Sequence, residues 1–281
     1  MNSLKVAAIQ LCSSTSIDAN LQAAEQLIQQ AASAGCEFIV TPEMTSFLVS
    51  QRSELMAKVT IEEEDIALAF FKDLAKRLAI NLQIGSLAIK ADQRHCFNRS
   101  YLIDRSGVIV DHYDKIHLFD VQLSDGSCFT ESNSYQAGSR AVIAPITANN
   151  KASYKVGMSI CYDLRFASLY RTLALNGADI ICIPAAFTAL TGKAHWRTLI
   201  QARAIETGAF IIAAAQVGMH EGGMETFGHS MIISPWGEIL AEETDNKPGF
   251  IQAQLDMDQI EHVRKQIPSL QHSRKFSLSN N

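Results

Sequence analysis

A cysteine follows an apolar run near the middle of the chain. Residues 157–160 lead into Cys161, and a polar segment with the signals of a helix start follows at residues 162–166. A thiol at the end of a buried strand, beside the unpaired N–H groups of a helix start, lies where its thiolate and a nearby oxyanion are stabilised. Because a buried cysteine is more often an inert core side chain, Cys161 alone is an ambiguous candidate nucleophile.

Two other ionisable residues follow apolar runs in the same way. Glu43 comes after residues 38–42, and Lys115 comes shortly after the run at residues 108–110. Ligands of parallel α/β sheets collect at the carboxyl ends of the strands, so Glu43, Lys115 and Cys161 are expected to converge. Each residue alone is also explained as a loop carboxylate or a solvated lysine. It is the combination of chemical roles that indicates a catalytic site.

The three side chains together fit the hydrolysis of an amide. This reaction needs a strong nucleophile, a proton shuttle and a fixed positive charge for the oxyanion. In this interpretation a dry pocket raises the pKa of Glu43, which takes the Cys161 proton during attack and passes it to departing ammonia. Water activated by Glu43 then hydrolyses the thioester, while Lys115 and the backbone N–H of Tyr162 hold the oxyanion.

The chain resembles the nitrilase, or carbon–nitrogen hydrolase, superfamily over about residues 4–272. That superfamily has a glutamate in a strand-end Pro-Glu motif, a lysine in a Lys-x-His-Leu segment and a cysteine in a Cys-Tyr-Asp-x-Arg-Phe segment. The matching segments are residues 41–44, 114–120 and 161–166. The resemblance implies an α/β fold, an αββα sandwich with mixed central sheets. It also implies a Glu-Lys-Cys amidase in which Glu43, Lys115 and Cys161 are catalytic.

The resemblance further implies a supporting residue and an assembly. Glu131 resembles the family's second glutamate, which orients the lysine and the substrate, whereas exposure statistics alone would make it a surface carboxylate. The family also suggests a homodimer or a higher homo-oligomer, formed through helices near residues 166–175 and 195–207. The periodicity does not show this contact, since an apolar helix face is more often simply core.

Within the superfamily the sequence is most similar to the Nit branch, which includes deaminated glutathione amidase and omega-amidase. Residues 131–133, 204–207 and 213–216 favour the first enzyme, whereas residues 117–120 and 236–238 favour the second. Deaminated glutathione is therefore the preferred substrate, and 2-oxoglutaramate or 2-oxosuccinamate is the alternative. A non-catalytic metabolite-binding or scaffold protein is the alternative of another class, disfavoured because all three chemical roles are filled.

A substrate that also carries a carboxylate needs a cationic or hydroxyl partner in the pocket. The candidates in the sequence are Arg165, Tyr162, Lys193 and Arg197. Phe47 and Phe187 are expected to shape the pocket. The loop at residues 218–227 contains the pair Gly222-Gly223, which makes it a candidate lid.

Length and composition bound the class of protein. The 281 residues, 47% of them hydrophobic, are expected to form a single carbon–nitrogen hydrolase domain over residues 1–281, with a short C-terminal tail from about residue 268. The formal charge of −5 argues against a nucleic-acid partner. No apolar run reaches the length of a membrane span. The cysteines form no Cys-x-x-Cys pair and no signal-like leader is visible, which predicts reduced thiols in the cytoplasm.

Other catalytic arrangements have weaker support. Metal-ligand residue types occur at positions 111–120, but without paired metal-binding spacing, so neither a metal nor a cofactor is predicted. A papain-like dyad of Cys161 with His195 is disfavoured because His195 lies at a predicted helix start. Ser159 is not part of a Gly-x-Ser-x-Gly elbow, so a serine hydrolase is not expected.

Strands and helices alternate along the chain. Strands are predicted at residues 4–11, 38–41, 81–90, 100–104, 108–113, 180–184, 210–216, 230–234, 238–242 and 249–255. Helices are predicted at residues 16–34, 62–78, 166–175 and 195–207, followed by a short final helix. The β-α-β opening predicts parallel pairing and residues 104–107 predict a hairpin, so the sheet is mixed. The acidic run at residues 62–65 is expected to be a solvated helix start, and residues 277–281 to be frayed.

Overall fold

The computed structural model describes residues 2–279, and its core consists of two six-stranded sheets. The helices are α1 (Ile17–Ser33), α2 (Arg52–Lys58), α3 (Ile66–Leu78), α4 (Ala167–Leu175), α5 (Ala189–Thr207) and α6 (Asp258–Gln266). The strands are β1 (Ser3–Gln10), β2 (Phe38–Val40), β3 (Asn81–Lys90), β4 (Cys96–Ile103), β5 (Ile109–Asp114), β6 (Asp120–Gln122), β7 (Cys128–Thr130), β8 (Ile143–Thr147), β9 (Ser153–Met158), β10 (Ile180–Cys182), β11 (Phe210–Ala213), β12 (Val217–Met219), β13 (Glu225–Phe227), β14 (Met231–Ile233), β15 (Ile239–Glu242) and β16 (Gly249–Asp256). Short 3-10 helices occupy Glu62–Glu64, Glu131–Asn133 and Cys161–Arg165.

Each large sheet is mixed, with parallel strands at its centre. The first sheet has the order β16-β1-β2-β3-β4-β5, and β1, β2 and β3 are mutually parallel. The second has the order β15-β14-β11-β10-β9-β8, and β9, β10 and β11 are mutually parallel. The remaining neighbours pair antiparallel, including the predicted hairpin of β4 with β5. The predicted mixed sheets are thus confirmed.

Strand β1 explains why the molecule has four layers. Successive side chains of a strand point to opposite faces of its sheet. Leu4, Val6 and Ala8 enter the core between the two sheets, whereas Ala7 and Ile9 enter the core beneath α1 and α3. Both faces of the strand are therefore buried, which explains its nearly continuous apolar sequence. Helices α4 and α5 cover the outer face of the second sheet, so the predicted αββα sandwich is confirmed.

Two predicted helix boundaries were wrong. Helix α5 begins at Ala189 rather than at residue 195, so His195 lies inside the helix. The single helix predicted at residues 62–78 is a 3-10 helix followed by α3, because the Asp65 side chain caps α3 by accepting the Leu68 N–H at 2.7 Å. None of the helices in residues 2–279 is both long and apolar enough to cross a membrane.

The acidic run before α3 has a structural role that the sequence did not predict. The Glu62 carboxylate accepts hydrogen bonds from Arg99 Nη1 at 2.7 Å and from the Tyr101 hydroxyl at 2.8 Å. Arg99 also donates to both carboxylate oxygens of Asp114, at 2.6 and 2.9 Å. The run therefore anchors the end of β5, directly before Lys115.

The chain after α6 is irregular and mostly exposed through residue 279. The short tail predicted from about residue 268 stays a prediction. The last two positions of the predicted frayed end, residues 280 and 281, lie outside the described residues.

The segment between β2 and Glu43 packs directly on β3 at Gly85. Thr41 Oγ1 accepts the Gly85 N–H at 2.9 Å and shares a 2.8 Å hydrogen bond with the Thr45 hydroxyl. A Cβ atom at Gly85 would lie 2.1 Å from the Thr41 carbonyl oxygen and 2.3 Å from that of Pro42. Only glycine permits this approach, and the approach sets the position from which Glu43 leaves the sheet.

We predict that Gly85→Ala displaces the backbone that carries Glu43. The added methyl group must push the Thr41–Pro42 carbonyls away from β3. Such overpacking typically costs about 1–3 kcal/mol in the free energy of unfolding. Urea unfolding should report this loss, and Gly249→Ala is the control, since its nearest neighbour is the flexible Glu243 carboxylate at 3.1 Å. Equal stability of the two variants would contradict the prediction.

Candidate active site

Cys161 is held in a strained backbone conformation after the second sheet's strand β9. Its φ of +48° lies in the left-handed region, which a non-glycine residue adopts rarely and mostly where function requires it. The Cys161 N–H donates to the Pro184 carbonyl at 2.9 Å. The side chain of Asp163 accepts the Ile160 N–H at 2.9 Å, which closes the turn from the other side. The thiol is thereby aimed at the space between the strand ends.

Asp163 also connects the cysteine to the segment that carries the lysine. This fully buried carboxylate accepts hydrogen bonds from the Tyr113 hydroxyl at 2.7 Å and the His117 N–H at 3.1 Å. Its Oδ1 lies 2.6 Å from His117 Nδ1. Tyr113 and His117 flank Lys115 in the chain, so a single carboxylate fixes the lysine segment relative to the cysteine turn.

Glu43 lies in the loop after β2 and is only 3% exposed. Its Oε1 accepts hydrogen bonds from Lys115 Nζ at 2.9 Å and from Asn98 Nδ2 at 2.8 Å. Its Oε2 accepts the Ala186 N–H at 2.8 Å. The backbone is held as well, because Gln216 Nε2 donates to the Glu43 carbonyl at 2.9 Å. The carboxylate is therefore fixed on both oxygens, and it is close enough to the Cys161 thiol for the two groups to shift each other's pKa.

Lys115 is buried between two carboxylates. Its Nζ lies 2.9 Å from Glu43 Oε1 and 3.0 and 2.9 Å from the two oxygens of Glu131. Glu131 opens the 3-10 helix after β7, and its Oε2 also accepts the Phe119 N–H at 2.6 Å. Its side chain is 11% exposed, so it is not a surface carboxylate. The structure thus brings Glu43, Lys115, Glu131 and Cys161 into one cluster.

The charges in this cluster shift the pKa values of its members in different directions. Burial disfavours the ionised form of Glu43, but Lys115 and the hydrogen bonds outweigh it and lower the pKa of this carboxyl. Burial and the neighbouring Glu43 carboxylate raise the pKa of the Cys161 thiol well above its ordinary value. Burial disfavours the Lys115 ammonium, yet Glu131 and Glu43 raise its pKa well above the ordinary value.

Two expectations from the sequence are corrected by this arrangement. The pKa of Glu43 is lowered rather than raised, because an ammonium lies within hydrogen-bond distance of the carboxylate. Cys161 is a neutral thiol rather than a stabilised thiolate, because the group beside it is an anion. The resting site is therefore a carboxylate next to a protonated thiol.

Tyr162 follows the cysteine at the second position of the 3-10 helix Cys161–Arg165. An N–H at this position precedes the first hydrogen bond within the helix, so it is available to an oxyanion. The Tyr162 ring packs edge-on against Phe119, with centroids 5.1 Å apart, and against Phe166, with centroids 5.3 Å apart. These contacts fix the backbone at the point where the predicted oxyanion donor lies.

The cluster forms the floor of a cavity of about 470 Å³. Its lining includes Phe47 and Phe187, as well as the Gly222-Gly223 pair of the predicted lid loop. Among the predicted carboxylate partners, Tyr162 lines the cavity, whereas Arg197 pairs with Glu242 at 2.7 Å. Arg165 does not line the cavity. Its guanidinium lies 5.3 Å from the Phe187 ring centroid and 6.0 Å from that of Tyr162, behind two residues that do.

Sequence reasoning missed two residues that face this site. Asn98 is fully buried on β4, and its Nδ2 bridges the two carboxylates, at 2.8 Å from Glu43 and 3.1 Å from Glu131. Asn98 lies two positions before Ser100, so these two buried polar side chains point to the same face of the strand, and this alternation was the available signal. Arg52, at the start of α2, also lines the cavity. Helix α2 itself was not predicted, so this arginine had no predicted position.

The weaker catalytic alternatives do not match the geometry. His195 Nδ1 lies 3.3 Å from Arg165 Nη2, within α5, and the carboxylate beside Cys161 is that of Glu43. The Ser159 hydroxyl is buried and bonded to the Tyr170 hydroxyl and the Cys182 carbonyl, at 2.8 and 2.9 Å. In the part of the chain that the structure describes, no group of three or more His, Cys, Asp and Glu side chains is arranged to hold a metal ion.

Comparisons with known proteins agree with the fold and with the motifs. The sequence model of the carbon-nitrogen hydrolase family matches residues 5–265. The deaminated glutathione amidase of Synechocystis sp. is 40% identical over 268 residues, covering 95% of this chain and 96% of that protein. The deaminated glutathione amidase of Yersinia enterocolitica is 35% identical over 280 residues, covering 99% of this chain and 95% of that protein.

Among solved structures, the Caenorhabditis elegans NitFhit protein superimposes with a TM-score of 0.87 at 31% identity. The match covers 98% of this chain and 66% of that one. Both the sequence match and the shared sandwich extend over nearly the whole chain. The chain therefore belongs to the carbon–nitrogen hydrolase family.

Proposed function

We propose that the protein is an amidase that acts through a thioester on Cys161, with Glu43 as the proton carrier and Lys115 as the fixed cation. The observation that carries this proposal is the buried cluster of these three side chains at the floor of the cavity. It supplies a nucleophile, a base and an oxyanion partner within contact of one another. Metal-free amide hydrolysis needs these three roles.

In the first step Glu43 takes the thiol proton while the Cys161 sulfur attacks the amide carbonyl. The new C–S bond turns the carbonyl oxygen into an oxyanion, which lies beside the Lys115 ammonium and the Tyr162 N–H. Because Glu43 is ionised and the thiol is neutral at rest, proton transfer and attack are coupled. Hydrogen bonds of Glu131 and Asn98 hold the Glu43 and Lys115 side chains in place relative to each other.

In the second step the protonated Glu43 gives its proton to the amide nitrogen as the C–N bond breaks. Ammonia leaves if the amide is unsubstituted, and an amine leaves if the amide nitrogen carries a substituent. Glu43 is then a carboxylate again. It takes a proton from a water molecule while that water attacks the thioester carbonyl. Collapse of this second oxyanion releases the carboxylic acid, and the proton returns to the Cys161 sulfur.

We propose deaminated glutathione as the substrate, with 2-oxoglutaramate as the alternative. Relatives named deaminated glutathione amidase match the chain from end to end at 32–40% identity, which favours the first. Because the amide bonds of glutathione are substituted, this substrate would release an amine. The cavity of about 470 Å³ has room for a peptide-sized substrate.

We also propose a cytoplasmic homodimer that forms through α4 and α5. Leu175 of α4 and Leu190 and Ile205 of α5 are exposed apolar side chains on these helices. Such apolar surface is typical of contacts between copies of a protein. Residues 2–279 contain all six cysteines and no disulfide, which is consistent with a reducing compartment.

The second prediction concerns the proposed nucleophile. Cys161→Ala should lower the turnover of deaminated glutathione or 2-oxoglutaramate by about 10⁴-fold or more while leaving the fold intact. Product formation from both substrates, as ammonia and as free amine, is followed over a concentration series. The ratio of the two kcat/KM values then selects the substrate.

Cys36→Ala is the matched control, because Cys36 is also buried but only donates to the Val6 carbonyl and the Gln252 side chain. It should retain wild-type turnover. A loss in Cys161→Ala much smaller than about 10⁴-fold would contradict the mechanism. Inactivity of the folded wild type toward both amides would instead favour a non-catalytic protein or another substrate.

The third prediction concerns the pH dependence of kcat/KM. Glu43 must be ionised to act, and its lowered pKa places the acid limb of kcat/KM below pH 4.5, the ordinary carboxyl value. Because the pKa of Cys161 lies well above 9.0, thiolate formation should add no rise in kcat/KM between about pH 6 and pH 9.0. Circular dichroism at each pH controls for unfolding. A rising limb centred near neutral pH would contradict this assignment of protons.

A further inference from the structure

The cavity contains a second cation that the reaction does not use. Arg52 lines the cavity at the exposed start of α2, whereas Lys115 lies at the buried floor. The Arg52 Nε donates to the Asn133 carbonyl at 3.0 Å, and the Arg52 Nη2 donates to the Arg94 carbonyl at 2.6 Å. Two backbone acceptors therefore hold the guanidinium in place before any ligand arrives.

The charge of Arg52 is available to a ligand. Among the described residues, its hydrogen-bond partners are neutral carbonyl oxygens rather than carboxylates. Nη1 is not engaged by either of these bonds, so an N–H donor remains free for an anion. Lys115 differs, because two carboxylates already surround it.

The floor of the cavity would repel a substrate anion. Glu43 and Glu131 supply two carboxylates against the one ammonium of Lys115, which leaves one net negative charge at the floor. Arg52 is the remaining charged residue of the cavity lining in the described chain. An amide that also carries a carboxylate is thus oriented with its neutral amide at the floor and its anion at the mouth.

We propose that Arg52 binds the glycine carboxylate of the substrate, which lies on the leaving amine at the end remote from the scissile amide. This proposal rests on the proposed amidase function and adds the residue that selects an anionic substrate. The free Nη1 of the guanidinium can donate a charge-assisted hydrogen bond to such a carboxylate. Arg165, Lys193 and Arg197 do not line the cavity, and Arg197 is already neutralised by Glu242.

The test uses two substrates that differ only in the remote charge. They are deaminated glutathione and its derivative with the glycine carboxylate converted to a methylamide, and cleavage is followed by mass spectrometry. Arg52→Gln should lower kcat/KM for the carboxylate substrate about tenfold, mainly through KM, and leave the methylamide unchanged. Arg52→Lys should recover part of the loss, because the charge returns without the planar guanidinium.

Arg105→Gln is the control, since Arg105 also donates to a backbone carbonyl, that of Ala79 at 2.8 Å, but lies at the β4–β5 turn. It should change neither substrate. Salt should raise KM for the carboxylate substrate in the wild type and much less in Arg52→Gln.

The proposal is overturned if Arg52→Gln cleaves the carboxylate substrate as well as the wild type does, or if it loses both substrates equally. Those results would still leave the amidase intact, because the wild type cleaves the amide in both cases. Failure of the wild type to cleave either compound contradicts the proposed function itself, and this proposal with it.

Discussion

The structure of the site depends on one buried ion cluster, in which the Lys115 ammonium lies between the carboxylates of Glu43 and Glu131. Removing three charged groups from water is costly, and their attraction compensates only when the geometry is close and the remaining atoms are hydrogen-bonded. The remaining carboxylate oxygens accept hydrogen bonds from the Asn98 side chain, the Ala186 N–H and the Phe119 N–H. The strands and loops that carry these groups are therefore held in fixed positions relative to one another.

This cluster also decides where the protons are. Cys161 and Glu43 are both buried, and burial alone would raise the pKa of both groups. The ammonium reverses the effect for Glu43, and the resulting carboxylate reinforces it for Cys161. A neutral thiol beside a fixed base is less open to oxidation and alkylation than a free thiolate, since the thiolate is the reactive form. Under the proposed mechanism, the thiolate of Cys161 forms only as its sulfur attacks a bound carbonyl carbon.

The convergence of the main catalytic candidates could be predicted from the sequence, because it follows from strand ends. Runs of buried apolar residues marked β2 and β9, and the polar residues after them had to lie at the same edge of their sheets. Motif similarity then supplied Glu131, which no periodicity indicates. The αββα arrangement was predicted through the same similarity, and the two-faced burial of β1 is its physical basis.

What the sequence could not predict are properties of the assembled surface. The lowered pKa of Glu43 depends on a distance of 2.9 Å to Lys115, which lies 72 positions away in the chain. Asn98 acquires its role only because β4 brings it beside both carboxylates, and Arg52 only because a short helix and two loops meet at the cavity. Helix α5 extends six positions earlier than the motif at His195 suggested, since residues 189–194 carry no strong start signal.

In the proposed mechanism the Glu43 carboxylate keeps Cys161 protonated until the sulfur attacks. The ultraviolet thiolate absorbance of Cys161 as a function of pH, taken as the difference between each protein and its Cys161→Ala counterpart, reports this protonation state. We expect no Cys161 thiolate in the wild type at neutral pH, and a thiolate at lower pH in Glu43→Gln, where the anion beside the thiol is removed. A thiolate in the wild type at neutral pH, or an unchanged titration in Glu43→Gln, would contradict it.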